Sequence, residues 1–412
     1  MSRVDELIRT LCPNGVRFYE LGELGNFYGG LTGKSKNDFT DGNAKFITYK
    51  NVYSNPALKI DVEDRVKIAP DEKQRTLEYG DVIFTGSSET PDECGISSVL
   101  TEKTDEKLYL NSFCFIFRFN DLSIILPDFA KHLFRSNSLR YQIGKTASGV
   151  TRYNVSKKLM EKVVIPVPPI EVQGEIVRIL DNFTELTAEL TAELTARKKQ
   201  YEYYRDELFR VPKADIFPIT EIAYTYIGLV TTMTKHYVEN GVRLIHNSSI
   251  KENRFEFKDD VFLDEPFALK NNNRRHQLDD IVTVHTGDVG TSAVIDESLD
   301  GSLGFATIVS RIYDKSKVLP KYLCYYLNSH ENKCNITSMI KGDRNNLNLK
   351  DFNKLKIPVP SIEVQQRIVS ILDRFDTLCN DISAGLPAEI EARQKQYEYY
   401  RDKLLTFKEA SE

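Results

Sequence analysis

The stretch Ile165–Gln173 (IPVPPIEVQ) returns near the end of the chain as Ile357–Gln365 (IPVPSIEVQ). Further along, Lys199–Asp206 (KQYEYYRD) returns letter for letter as Lys395–Asp402. Two copies of the same ordered pair of motifs indicate that the chain is one unit written twice. Each unit is a variable segment followed by a long helical segment. We therefore expect two copies of one kind of contact, made to an object that offers two related sites.

The variable segments, at about residues 17–164 and 217–356, have the pattern of β-structure. Short apolar runs broken by Gly, Asn and Asp predict strands at Lys45–Thr48, Asp81–Thr85 and Ser112–Phe119. The second segment repeats this plan, since Phe217–Leu229 aligns with Tyr19–Leu31, Asp279–Val282 with Gly80–Ile83, and Leu319-Pro320 with Leu126-Pro127. A shared scaffold with different loops is typical of one fold that carries two specificities.

Apolar residues recur three or four positions apart in both helical segments, from Ile176 to Leu208 and from Ile368 to Leu404. Stripes of this kind need a partner helix, and the order of the segments makes antiparallel packing the simplest solution. A break is expected at 385–387 (GLP), because Gly ends helices well and Pro starts them well. The predicted fold class is α+β: two globular domains in tandem, separated by two long helices packed as an antiparallel coiled coil with pseudo-two-fold symmetry.

The boundaries expected from the motifs are 1–164 for the first globular domain, 165–211 for the first spacer helix, 212–356 for the second globular domain and 357–412 for the second spacer helix. The first domain should begin with a short helical segment, because Val4–Arg9 (VDELIR) echoes Arg205–Arg210 (RDELFR). The repeat offset grows from 192 (165 to 357) to 196 (199 to 395), so the second helical segment is four residues longer. Strict symmetry is therefore not expected near 385–387.

The composition, 41% hydrophobic and 28% charged, is that of a globular protein. No apolar run approaches the ~20 residues of a membrane span. Met1–Leu11 lacks a signal-peptide core, so we expect a cytoplasmic protein. Six scattered cysteines without C-x-x-C are typical of reduced thiols. The net charge of −5 argues against blanket nucleic-acid binding but leaves room for a local basic face.

Catalytic motifs are missing from the sequence. Gly29–Ser35 (GGLTGKS) resembles a phosphate-binding loop, but Tyr28 stands where the first glycine belongs, and Gly228–Lys235 of the second copy has lost the motif. There is no G-x-G-x-x-G after a strand, no N-P-P-[FY] and no H-E-x-x-H, and the histidines form no ligand pair four residues apart. We expect a chain without a catalytic or metal site.

Binding chemistry remains, because basic and amide residues cluster in the turn-rich parts of both copies. Arg, Asn and Gln make bidentate contacts to guanine and adenine edges, while Lys serves phosphate. The candidate DNA contacts are Lys34, Lys36, Tyr49, Lys50, Asn51, Lys145, Arg152, Asn154, Lys235, Arg243, His246, Asn247, Lys251, Arg274, Arg275, Gln277, Arg344 and Asn346. The alternative is that these clusters are solvated loops. Their presence at matched places in both copies, such as Arg152 and Arg344, favours binding.

At the paired IPVP, IEVQ and KQYEYYRD segments, the chain resembles the specificity subunits of type I restriction–modification systems. The resemblance implies two target-recognition domains, each reading one half of a gapped DNA sequence through the major groove. It implies that the helices set the gap and dock two modification (methyltransferase) subunits, which restriction subunits then join. It also implies that this chain carries no cofactor, since S-adenosylmethionine, ATP and Mg belong to the partner subunits.

The repeated tyrosine motif is a candidate docking surface for the modification subunits. Its proposed contact residues are Tyr201, Tyr204, Arg205, Tyr397, Tyr400 and Arg401. The alternative is that these tyrosines only pack the coil.

Two other classes of protein remain to be compared. A coiled-coil adaptor would not bind DNA, and a fused restriction–modification enzyme would need nuclease and methyltransferase domains that these motifs do not provide.

The quartet TAEL occurs twice in tandem in the first helical segment, at Thr187–Leu190 and Thr191–Leu194. Four helical residues add ~6 Å and turn ~40° beyond a full circle. One base pair adds ~3.4 Å and turns by ~35°. The resemblance implies that the number of such quartets sets the distance between the two half-sites. One quartet should then shift the unread gap between them by about one base pair. The alternative is that TAEL is only a good helix former on a solvated coil.

Overall fold

The computed structural model describes residues 3–212, 214–340, 345–381 and 384–410. The chain folds into two compact units: the first unit is Met1–Glu189 with Ile390–Glu412, and the second unit is Leu190–Glu389. The boundaries expected from the motifs set the helical segments apart from the globular domains. In the structure each unit also includes the beginning of one helical segment and the end of the other.

The first unit alternates short strands with short helices. In chain order its elements are α1 (Arg3–Leu11), β1 (Arg17–Glu20), α2 (Leu21–Leu24), β2 (Gly25–Gly29), β3 (Ala44–Ile47), α3 (Tyr49–Ser54), β4 (Arg65–Val66), β5 (Val82–Thr85), β6 (Ser87–Ser88), β7 (Ser97–Val99), β8 (Leu108–Leu110), β9 (Cys114–Phe119), α4 (Pro127–Leu133), α5 (Asn137–Gly144), β10 (Ala147–Ser148), β11 (Tyr153–Val155), α6 (Lys157–Met160), β12 (Val164–Val167) and the start of α7 (Ile170–Phe209). Short 3-10 helices lie at Lys36–Phe39 and Pro91–Glu93. The three strands and the short N-terminal helix predicted here are confirmed.

The second unit repeats the plan. After the end of α7 its elements are β13 (Asp215–Pro218), α8 (Ile219–Ile222), β14 (Ala223–Ile227), β15 (Tyr237–Val238), β16 (Val242–His246), β17 (Ile250–Lys251), β18 (Arg254–Phe255), β19 (Phe262–Leu263), α9 (Glu265–Lys270), β20 (Ile281–Val284), β21 (Ser292–Val294), β22 (Leu303–Phe305), β23 (Thr307–Ile312), α10 (Pro320–Leu327), α11 (His330–Met339), α12 (Leu349–Phe352), β24 (Lys356–Val359), α13 (Ile362–Asn380) and the first turn of α14 (Leu386–Leu404). Short 3-10 helices lie at Thr234–His236, Asn247–Ser249 and Asn272–Arg274. The expected break is confirmed, since α13 ends and α14 begins on either side of it.

The main antiparallel sheet has the same strand order in both units. An antiparallel sheet of order β2-β9-β5-β7 in the first unit corresponds to β14-β23-β20-β21 in the second. The pair β3–β8 is parallel, as is β16–β22. The repeated IPVP motif forms the second strand of a two-stranded antiparallel sheet in each unit, β1–β12 and β13–β24. The register is the same in both, with Tyr19 opposite Ile165 and Phe217 opposite Ile357. This correspondence confirms the predicted α+β tandem repeat.

A buried ion pair is duplicated along with the sheets. In the first unit, Arg118 Nε and Nη2 donate to the two carboxylate oxygens of Asp81, both at 2.7 Å. In the second unit, Arg311 donates in the same way to Asp280 at 2.8 and 2.7 Å. Both aspartates are fully buried, and the bidentate pairing with arginine offsets part of the desolvation of each carboxylate.

The last residue of the repeated IEVQ motif ties each long helix to the domain that precedes it. Gln173 Oε1 accepts from Leu126 N at 2.8 Å, and its Nε2 donates to the carbonyls of Ile124 and Pro168. In the second unit Gln365 repeats all three bonds with Leu319, Lys317 and Pro360. Both amides are fully buried, so their hydrogen-bonding groups are satisfied entirely by backbone.

The end of one helix packs against the start of the other inside each unit. In the first unit, Phe183 of α7 stacks on Tyr400 of α14, with ring centroids 5.3 Å apart. In the second unit, Tyr204 of α7 stacks on Phe375 of α13 at 5.9 Å. Start against end is the pairing that the antiparallel prediction requires within a unit.

Each unit has its main core between its four-stranded sheet, the helices beside it and the long helices. Phe84, Phe117 and Phe129 are fully buried in the first, and Tyr322 and Phe352 in the second. The predicted reduced thiols are confirmed, because all six cysteines are unpaired and Cys334 alone is exposed.

Candidate nucleic-acid interface

Three predicted residues of the first unit meet at the end of β5. Tyr49, at the start of α3, donates from its hydroxyl to the carbonyl of Ser87 at 3.0 Å. Arg152 Nε and Nη2 donate to Ser87 Oγ at 3.1 and 2.9 Å. Asn154 of β11 pairs with Ser87 of β6 in the strand register. Arg152 and Asn154 are exposed, so their side chains face solvent above this cluster.

The second unit builds the same cluster from the matching elements. Asn247 follows β16 as Tyr49 follows β3, and its Nδ2 donates to the carbonyl of Thr286 at 3.1 Å. Thr286 forms an antiparallel bridge with Asn346 and donates from its hydroxyl to Asn346 Oδ1 at 3.4 Å. Arg344, the predicted counterpart of Arg152, lies outside the described residues. The shared arrangement brings together residues that are far apart in the sequence.

The residues at the centre of the two clusters, Ser87 and Thr286, were missed by the sequence analysis. A signal for them existed, because the alignment of Gly80–Ile83 with Asp279–Val282 reaches both when it is extended by four positions. The alignment was not extended because Ser87 and Thr286 carry neutral hydroxyls, which do not stand out as DNA contacts in a sequence.

Histidines border the second cluster. Burial lowers the pKa of His246 and the pKa of His285, so both imidazoles are neutral at pH 7. His285 Nδ1 lies 2.9 Å from the hydroxyl of Thr286. Since a neutral imidazole can donate or accept, this edge of the cluster offers hydrogen bonds without fixed charge.

Five of the predicted lysine contacts are accessible to solvent. Lys36, Lys50, Lys145 and Lys235 are exposed, and Lys251 is half-buried. In the described part of the chain, none of these five forms an ion pair with a carboxylate. Ammonium groups of this kind can meet phosphate without first breaking an internal ion pair.

Several other predicted contacts are engaged within their own unit. Lys34 Nζ lies 2.6 Å from the Glu72 carboxylate, so the near-miss phosphate loop has its lysine occupied. The Asn51 side chain is hydrogen-bonded to the backbone of Lys59: its Nδ2 donates to the carbonyl and its Oδ1 accepts from the N–H. Arg243 Nη1 lies 2.5 Å from Asp260. A nucleic acid would have to displace these partners.

Arg274 and Arg275 are also held by their own domain. Arg274 Nη1 donates to the carbonyl of Gly228 at 2.6 Å, and Arg275 Nη2 donates to Glu265 Oε1 at the same distance. Gln277 keeps an exposed side chain. Gln277 is therefore the predicted contact of this loop that can meet a ligand without rearrangement.

The predicted docking residues separate into buried and exposed groups. Tyr201, Arg205 and Arg401 are buried, and Tyr397 donates or accepts a 2.9 Å hydrogen bond with His132. Tyr204 and Tyr400 are exposed. Two further exposed tyrosines, Tyr203 and Tyr399, were not predicted. Tyr203 packs edge-to-face against Tyr204, and Tyr399 packs in the same way against Tyr400, with ring centroids 5.5 and 5.3 Å apart. These two matched pairs are surface features of the repeated motif, and the motif's other tyrosines pack inward.

Neither a metal centre nor a membrane-spanning helix is found in the described ranges. No group of three or more His, Cys, Asp or Glu side chains is arranged to hold a metal ion there. Among the same residues, every helix is too short or too polar to cross a bilayer.

Comparison with known proteins identifies the family. Residues 13–197 and 231–392 match the type I restriction modification DNA specificity domain. A type I restriction enzyme specificity subunit of Escherichia coli is 37% identical over 268 residues, which are 61% of this chain and 65% of that protein. This match therefore spans slightly less than two thirds of the Escherichia coli protein. A putative type I restriction enzyme specificity subunit of Haemophilus influenzae is 35% identical over 271 residues, 63% of this chain and 68% of that protein.

Solved structures agree at the level of the fold. A chain from a study of complex assembly and conformational transition of the type I R-M system has a TM-score of 0.68 at 18% identity, covering 95% of this chain and 98% of that one. The type I restriction-modification S subunit from M. genitalium has a TM-score of 0.51 at 14% identity, covering 95% and 96%. Because the family model matches both repeats, this chain belongs to the specificity subunits of type I restriction–modification systems and carries two target-recognition domains.

Proposed function

We propose that this chain gives a type I restriction–modification complex its DNA sequence specificity, with each unit reading one half of a bipartite, gapped target. The duplicated cluster carries the proposal: Tyr49, Ser87 and Asn154 in the first unit correspond to Asn247, Thr286 and Asn346 in the second. One site built twice from different side chains suits two half-sites of different sequence.

The chemistry of the clusters fits base reading. The exposed amides of Asn154 and Asn346 match the adenine edge, and the exposed guanidinium of Arg152 matches guanine. The accessible lysines without a carboxylate partner suit phosphate, which positions a protein on a duplex without specifying sequence. With a net charge of −5, the chain as a whole does not attract DNA, so binding rests on these local groups.

We further propose that the exposed tyrosine pairs, Tyr203–Tyr204 and Tyr399–Tyr400, dock two modification subunits, one on each copy of the motif. Aromatic side chains of this exposure are favourable centres for a protein interface. Restriction subunits would complete the assembly. In this proposal the chain itself is not catalytic, and S-adenosylmethionine, ATP and Mg act on the partner subunits.

The test is to co-express the chain with a cognate modification subunit and to map methylated adenines across the host genome. The proposal predicts one bipartite motif with two specified segments and an unread gap between them. Binding of the purified complex to that duplex should fall steeply as salt rises. A coiled-coil adaptor would give neither a motif nor salt-sensitive duplex binding, and that result would refute the proposal.

A further inference from the structure

A cavity of about 650 Å³ opens beside the cluster of the first unit. Its walls come from four separate parts of the chain: α3, the loop after β5, the turn before β9 and the β10–β11 hairpin. The side chains that matter for its chemistry are Tyr53, Glu93, Phe113 and Arg152. Phe113 is 56% exposed, which is unusual for a phenylalanine inside a folded domain.

Glu93 is fixed in this cavity by neutral hydroxyls. Its Oε1 accepts from Tyr53 Oη at 2.9 Å, and its Oε2 accepts from Ser88 Oγ at 3.2 Å and Thr90 Oγ1 at 3.1 Å. These three hydrogen bonds hold the pKa of Glu93 below its ordinary value, so the carboxylate is ionised at neutral pH. In the described part of the chain, no cation forms an ion pair with it. The protein therefore holds an exposed, oriented acceptor whose charge is not neutralised.

Arg152 stands in the same cavity but is directed to Ser87, which receives both of its hydrogen bonds. Its guanidinium carbon lies 5.6 Å from the Phe113 ring centroid. Both bonds come from Nε and Nη2, and Nη1 has no partner among the described residues. The cavity thus presents a hydrogen-bond donor, the Arg152 guanidinium, and a hydrogen-bond acceptor, the Glu93 carboxylate. Each of the two is held in place by its own partners.

An ionised carboxylate repels phosphate, so Glu93 does not suit a backbone contact. In the major groove, cytosine presents its N4 amino group as a donor, and the paired guanine presents O6 and N7 as acceptors. A carboxylate accepts from cytosine N4, while a guanidinium donates to guanine O6 and N7. Glu93 and Arg152 together complement that edge.

We propose that Glu93 and Arg152 read one cytosine–guanine base pair in the half-site of the first unit. This inference rests on the proposed function and assigns one contact within it.

The loop that carries Glu93 is shorter in the second unit, so the contact should be specific to one half-site. Gly95 and Gly290 occupy matching positions, since Gly95 donates its backbone N–H to the last residue of β5, Thr85, and Gly290 donates to the last residue of β20, Val284. Between these anchors the first unit has residues 86–94, whereas the second has only 285–289. The extra residues of the first unit carry Glu93 and two of its three hydroxyl partners.

The test compares Glu93→Gln with Glu89→Gln in the complex with the cognate modification subunit, by mapping methylated adenines genome-wide. Glu89 is an exposed carboxylate that lines the same cavity, so it is a matched control. Glu93→Gln should relax the preference for cytosine–guanine at one position of one half-site by ~10-fold or more. The other half-site should not change, and Glu89→Gln should keep the wild-type motif.

Three results would overturn the inference while leaving the proposed function intact. One is a wild-type motif for Glu93→Gln. Another is a change confined to an adenine–thymine position, which would assign the carboxylate to adenine N6. The third is an equal loss of methylation at all sequences by a variant that melts like the wild type. A wild-type complex that yields no bipartite motif would instead refute the proposed function itself.

Discussion

The carboxylate of Asp402 accepts a hydrogen bond from the backbone N–H of Asn137 at 2.9 Å, across 265 residues of sequence. Its repeat partner Asp206 makes the same bond to the N–H of His330 at 3.0 Å. Each aspartate ends a KQYEYYRD motif, and each N–H lies in the first turn of a helix, α5 or α11. A carboxylate is favourable there because the first N–H groups of a helix lack partners within it. The last residue of the motif therefore has the same structural role in both copies.

We expect Asp402→Ala to destabilise the first unit by about 1 kcal/mol, because α5 loses the carboxylate at its N-terminus. Asp206→Ala should do the same to α11 and the second unit. Hydrogen exchange of the backbone amides of each helix measures both effects. Faster exchange in both helices for either single variant would contradict the assignment of one aspartate to one unit.

The buried amide of Gln173 should matter more than that capping bond. Gln173→Ala removes a buried amide together with its hydrogen bonds to one backbone N–H and two backbone carbonyls, so we expect a loss of about 3 kcal/mol. Gln365→Ala should cost the second unit a similar amount, and the exposed neighbour Gln366→Ala should cost less than about 0.5 kcal/mol. Urea unfolding of the three variants makes the comparison, and equal effects of Gln365→Ala and Gln366→Ala would be incompatible with the structure.

The repeat, the element types and the helix break could be predicted because local patterns encode them. IPVP, IEVQ and KQYEYYRD are short motifs whose neighbours are fixed by strand pairing and helix periodicity. The candidate interface was harder to predict, because its members come from distant parts of the chain. The Lys34 ammonium is paired with the Glu72 carboxylate, a contact that the sequence pattern does not indicate. Glu93 lies in no motif that marks it as a binding residue. Partners of this kind are set by tertiary packing, which one sequence does not display.

Acid should destabilise the second unit through His276. Burial, reinforced by the charge of Arg311, lowers the pKa of His276 to about 3. The unfolded chain takes up this proton near pH ~6.5, so the contribution to stability is complete above that pH and is lost as pH falls toward 3. The lowered pKa values of His246 and His285 act in the same direction.

We expect His276→Gln to flatten this dependence when melting temperature is followed from pH 7.5 to 4.5. His330→Gln, at an exposed position, should keep the wild-type slope. An unaltered slope for His276→Gln would show that other groups cause the loss of stability in acid.

The helix that carries the TAEL quartets is continuous from Ile170 to Phe209. Deleting Thr191–Leu194 removes ~6 Å and ~40° of helix, so the unread gap of the methylated motif should shorten by about one base pair. The double change Thr191→Ala with Glu193→Ala keeps the length of the helix and should keep the gap. Methylation mapping of both variants tests whether the quartets set the gap, and an unchanged gap after the deletion rules this out.

The central claim is that each unit reads its own half of one target. The most direct test is the methylation motif of two single variants, Arg152→Ala in the first unit and Asn346→Ala in the second. Each removes one exposed side chain and should reduce discrimination at its own half-site by ~10-fold or more. We predict that the two variants change opposite halves of the motif and leave the other half intact. The claim is contradicted if both variants alter the same half, or if each weakens both halves together.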